Sequence, residues 1–223
     1  MLYGQNFADP AVIRIRLNTV RPHEWVPMNL AEIQTAIAKA QRGIGQYSAL
    51  MDLFGQVDVS ADIDFQRQYN AFYRVQRRQD AWYRAYYSLM QRSKETKPVF
   101  SDVLDAIHVT TGRYEPSFAS KLVATIDPTK PVWDVHVLGN TNHRAPSYTN
   151  KAKLSLAKVA YASMESWYAA FLLSPEGKLC VSEFDRLVPS HQRFTALKKV
   201  DFILWQNRPS RPRKARAPKK SAA

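Results

Sequence analysis

The stretch from Ser101 to Asp134 constrains the chain more than any other, because two helical periods sit on either side of a forced turn. Val103, Leu104 and Ile107 keep one apolar face after Ser101, which is placed to cap a helix over 101–109. Gly112 breaks that period within a turn at 110–115. Pro116 then suits the first turn of a second helix, over 116–126, where a missing N–H costs nothing. Phe118, Leu122 and Ile126 mark its buried face, and Lys121 falls on the other side with Ser117, Ser120 and Thr125. Asp127-Pro128 ends the helix, Pro131 restarts the chain, and Asp134 is placed to N-cap a further helix from Val135.

The rest of the chain reads as helix by the same criteria. Asn29 and Glu32 form a capping-box pattern before Ile33, Ile37, Ala40 and Ile44, and Gly43 and Gly45 are expected to end or bend that helix. Phe65, Tyr69 and Phe72 share a face, and Asp80 can cap a helix carrying Trp82, Tyr86, Leu89 and Met90. Arg67, Arg74, Arg77, Arg78, Arg84 and Arg92 are interleaved with these aromatics. The aromatics read as core and the arginines as available to nucleic acid, although stacking on bases is the alternative for the rings. Asn150 can cap a long helix through Phe171, Ser174-Pro-Glu-Gly177 reads as a turn, and helical stretches follow at 181–187 and 194–206. Only Ile13–Leu17 alternates like a strand. The fold class expected is mainly α, a compact helical domain over 61–207 preceded by a helical or irregular segment at 1–60. A basic tail at 208–223, rich in proline and lysine, is expected to be disordered.

Charge narrows the function. The 223 residues carry a net +13, and seven of those charges lie after Asn207 with no acid among them. The other six belong to the rest of the chain, so both parts favour a polyanionic partner. The single cysteine, Cys180, excludes an intramolecular disulfide and cysteine-rich metal sites. Asp134, His136 and His143 lack a further supporting ligand, so no metal and no cofactor are expected. Asp102 and Asp105 read as a solvated face, and Gly43-Ile-Gly45 is too little for a nucleotide loop. No signal sequence or membrane-length apolar run is visible, so the expectation is a soluble, cytoplasmic, nucleoid-associated monomer without a membrane partner.

Glu115-Pro-Ser-Phe-Ala-Ser-Lys121, with Leu122-Val-Ala-Thr125 and Pro131-Val-Trp-Asp-Val-His-Val-Leu138, resembles the helix-hairpin-helix DNA glycosylase superfamily. Within it, the resemblance is to bacterial proteins similar to 8-oxoguanine DNA glycosylase. Phe72–Arg77, Trp82–Arg84 and Lys198–Trp205 add weaker support, so the likeness covers roughly residues 65–205. It implies a helix-hairpin-helix element, a double-stranded DNA partner containing a damaged base, and base-excision repair of an oxidised purine. Thr111, Gly112 and Arg113 would meet a DNA phosphate, with His136, Arg77 and Arg78 as further DNA contacts. The base would be flipped into a pocket. Asp134 matches the carboxylate that stabilises the oxocarbenium-like sugar. Lys121 matches the lysine that forms a Schiff base in members with lyase activity, but precedes Asp134 by 13 residues where the family has some eighteen to twenty. Either Lys121 still reaches the site, or Asp134 directs water alone. A non-catalytic helical DNA-binding protein, or a helical interaction protein with a basic tail, are the competing readings.

Overall fold

The computed structural model describes residues 27–207; the strand-like Ile13–Leu17 and the basic tail lie outside them. Among the described residues nine α-helices follow one another: α1 (Leu30–Phe54), α2 (Ile63–Tyr73), α3 (Asp80–Ser93), α4 (Phe100–Thr111), α5 (Pro116–Ile126), α6 (Val135–Asn140), α7 (Lys153–Leu173), α8 (Pro175–Leu187) and α9 (Ala196–Gln206). One 3-10 turn (His191–Arg193) precedes α9, and there is no strand among the described residues. Mainly helical architecture is therefore observed.

Two helices are buried nearly all round and organise the rest. On α5 every residue from Phe118 to Thr125 is buried, and on α9 every residue from Leu197 to Leu204. The enclosure takes in polar as well as apolar side chains: Ser120, Lys121 and Thr125 on α5, and Lys198, Lys199 and Asp201 on α9. Around α9 pack α1, α8, α6 and α7; α5 is covered by α4 and α3. The 1–60 segment thus supplies part of this core through α1, whose Ile33, Ile37, Ala40, Ile44, Tyr47 and Leu50 are buried.

Several helix ends follow the sequence signals closely. The Asn29 side chain accepts from Glu32 N at 3.0 Å, and Glu32 accepts in return from Asn29 N at 2.9 Å. Pro116 opens α5, and Gly112 ends α4 in the left-handed region at φ 68°. Others differ. Helix α1 runs through Gly43 and Gly45 unbroken, because packing against α9 and α2 offsets a glycine cost of about 1 kcal/mol each. Ser101 and Asp80 lie inside their helices; Val99 and Gln79 hold the cap positions without a side-chain cap bond. Asn150 accepts from Ala152 N, but α7 starts only at Lys153.

Ser174 is not the start of a loop. It is at once the last cap of α7 and the N-cap of α8, accepting from Gly177 N at 3.0 Å and donating to Phe171 O at 2.7 Å. The two helices meet so closely that a Cβ at Gly177 would fall inside contact distance of the Phe171 carbonyl. Gly177→Ala is expected to destabilise the fold by about 3 kcal/mol through backbone overpacking. Urea denaturation checks this, and a cost below about 0.5 kcal/mol would show that the junction yields.

Candidate active site

Lys121 does not sit on a solvated face. Ser120, Lys121 and Thr125, which form the polar side of α5, are all buried, with Lys121 only 8% exposed. Its Nζ donates to the Tyr73 carbonyl at 2.9 Å and lies 5.1 Å from the Phe118 ring centre. Thr125 Oγ1 donates to the Lys121 carbonyl at 2.7 Å. An amine enclosed in this way loses hydration, and only its charged form suffers. Burial accordingly pushes Lys121 down to about 8 against the opposing pull of Asp134, with Arg74 adding to the lowering and Glu115 opposing it.

Asp134 is brought to the same place by a loop with little freedom. Trp133 N donates to Ser120 Oγ at 2.8 Å, one residue before Lys121 on α5. Tyr161 Oη donates to Pro131 O at 2.8 Å, and Thr195 Oγ1 donates to Pro128 O at 2.6 Å. The Phe100 ring stacks on Tyr161 at 3.9 Å, with Trp133 parallel to it on an interplanar angle of 5°. Asp134 then N-caps α6, accepting from His136 N at 2.8 Å.

Lys121, Asp134 and His136 line one cavity of about 160 Å³. Its walls come from the end of α2 (Phe72, Tyr73, Arg74), from Val132 and Asp134–Val137, and from α9 (Lys198, Asp201, Phe202, Trp205). A cavity of roughly 150 Å³ takes a benzene-sized ring. The separation of 13 positions from Lys121 to Asp134 thus suffices to bring both to one space.

The cavity holds a second lysine with the opposite behaviour. Lys198 Nζ donates to Asp201 Oδ2 at 3.0 Å and lies 4.7 Å from the centre of the Tyr47 ring. Tyr168 Oη donates to Asp201 Oδ1 at 3.2 Å. Burial alone would lower Lys198, but Tyr73, Asp201 and Tyr47 outweigh it and hold the side chain charged. Two lysines whose surroundings drive them apart can take different chemical roles, one as an amine and one as a fixed cation. Neither Lys198 nor Asp201 is among the site residues expected from sequence. The available signal was a charged pair at i, i+3, with Lys199 between them, in a helix whose other residues up to Trp205 are apolar.

The residues expected to meet DNA divide by environment. Thr111 Oγ1 donates to Ile107 O at 2.6 Å and accepts from Arg113 N at 3.3 Å, while Gly112 N donates to His108 O at 2.8 Å. The amides of Gly112 and Arg113 are therefore engaged within the turn. Glu115, 7% exposed, receives Arg113 at 2.9 Å and Arg78 at 2.8 Å. Arg78 also lies over Phe118 and Trp82, so it is an internal strut. Arg77 is exposed, and His136 is half-buried at the cavity. His143 lies elsewhere, bonded to Thr141 Oγ1 and Ser163 Oγ. The described residues contain no group of three or more His, Cys, Asp or Glu able to hold a metal ion, and no helix among them is long and apolar enough to cross a membrane.

Lys121 sets up a measurable link between pH and stability. Its folded value of about 8 lies below the ordinary 10.5, so the unfolded chain holds more protons between these limits and stability rises with pH there. Lys121→Met is expected to be more stable by on the order of 2 kcal/mol at pH 7, after allowance for the lost bond to Tyr73 O. That advantage should shrink between pH 8 and 10.5, as read by urea denaturation of both proteins. A gap that stays constant with pH would mean that the buried amine keeps its proton. Comparison with protein families, with curated proteins and with solved structures finds no match for the chain.

Proposed function

We propose that the chain is a DNA glycosylase of the helix-hairpin-helix type that removes a damaged base, with an oxidised purine as the leading substrate. The observation that carries this reading is the meeting of a buried amine held near 8 and a carboxylate on one ring-sized cavity. The α4–turn–α5 unit is the corresponding hairpin. Near pH 8 about half of the Lys121 side chains are neutral, which is the form able to attack carbon. In the proposed step the Lys121 nitrogen bonds to the anomeric carbon as the glycosidic C–N bond breaks. The departing base takes the electron pair and is protonated from solvent. Asp134, facing the same space, stabilises positive charge on the sugar and receives the proton shed by the attacking nitrogen. Opening of the sugar ring then leaves a Schiff base, from which strand cleavage can follow. Lys198 stays charged throughout and supplies a constant positive field on the α9 wall. The basic excess of the chain supports binding of the duplex, as do Arg77 and Arg113, which lie exposed.

Borohydride trapping on duplexes bearing a panel of lesions tests the amine. A covalent adduct is expected with the natural chain and not with Lys121→Gln; an adduct that persists in Lys121→Gln removes that residue as nucleophile. Asp134→Asn is expected to lower base release about 10²–10⁴-fold while duplex affinity stays within a factor of two. Single-turnover release should rise with pH through about 8 as Lys121 loses its proton, and a flat profile from pH 6.5 to 9 would favour water as the attacker.

A further inference from the structure

The connection between α2 and α3 carries arginine where a backbone of this shape favours glycine. Arg74 (φ 54°) and Arg77 (φ 59°) both adopt the left-handed region. A residue with a Cβ is disfavoured there, and glycine or asparagine is the usual occupant. Outliers of this kind persist where the surroundings over-determine them, and they cluster at functional sites.

The surroundings here are firm. Val75 is 1% exposed, its N–H donates to Asn70 O, and its carbonyl accepts from Tyr83 Oη at 3.1 Å. Arg78 is locked to Glu115, which also holds Arg113 from the α4–α5 turn. A single carboxylate therefore fastens the two turns together. Arg74 and Arg77 are left exposed, and among the described residues neither guanidinium has an ion-pair or hydrogen-bond partner. Arg74 also lines the cavity, while the Tyr73 carbonyl beside it receives Lys121. Two unpaired cations on one pinned turn, the first of them lining the cavity, fit an anion that accompanies the cavity's occupant.

We propose that Arg74 and Arg77 form a phosphate clamp, gripping the phosphodiester backbone next to the nucleotide whose base enters the cavity. This rests on the reading of nucleic acid as the partner and narrows it, because the substrate is then a base still joined to its strand and not a free nucleoside. Strain in the turn is tolerated because guanidinium groups are needed where glycine would fit better.

The test is Arg74→Gly, Arg77→Gly and the double variant, with Arg42→Ala at an exposed position of α1 as the control for loss of charge alone. Each is titrated with an undamaged duplex across a salt series, and its urea midpoint is measured. The log–log salt slope should flatten by about 0.9 for each arginine removed. The urea midpoint should hold or rise, since glycine relieves the left-handed backbone. An unchanged slope in the double variant overturns the clamp, as does equal flattening in Arg42→Ala. No duplex binding by the natural chain at low salt would sink the clamp and the glycosylase together. Flattened slopes in a chain that releases no base from any lesion would remove the glycosylase and leave the clamp standing.

Discussion

The hydrogen bond from Trp133 N to Ser120 Oγ is the contact on which the candidate site depends. Lys121 belongs to a helix and Asp134 to the end of a loop, so nothing in local structure alone brings them together. Ser120 precedes the amine and Trp133 precedes the carboxylate, and joining these neighbours fixes the relation of the residues that follow. The aromatic stack of Phe100, Tyr161 and Trp133 then holds the loop from its other side. Without this cross-tie, the tolerance needed for covalent chemistry would have to come from a mobile loop, which is a poor support for it.

Burial of Lys121 sets up a contest between stability and reactivity. The core would be served better by a methionine at this position, and the chemistry would be served worse. An amine in water is almost wholly protonated near neutrality, whereas one enclosed by α5 and the end of α2 gives up its proton readily. Lys198 shows that burial by itself does not decide the outcome. It is buried more completely, yet Asp201 and the surrounding tyrosines keep it charged. What separates the two lysines is the company each one keeps.

Much of the frame was legible in the sequence. Pro116, Gly112, Asp134 and the Asn29–Glu32 pair mark helix ends through local chemistry, and local chemistry survives folding. The failures share a cause. Gly43 and Gly45 break helices in isolation, but α9 and α2 cover this one and overrule propensity. The polar side of α5 is legible as amphipathicity, but periodicity cannot tell water from a polar cavity, so the burial of Lys121 is not. Lys198 and Asp201 escaped notice because their meaning arises from α9 facing α5 across 77 positions of chain between Lys121 and Lys198. The engaged amides of Gly112 and Arg113 needed atomic geometry to be seen.

Glu115 has a mechanical consequence. Its carboxylate is the common anchor of Arg78 and Arg113, and these belong to two turns separated along the chain by α3 and α4. Displacing either turn would pull on the other through a nearly dry ion pair that is costly to break. The two turns are therefore built to move as a unit or not at all, and force applied at one is shared by the other without passing through the helices between them.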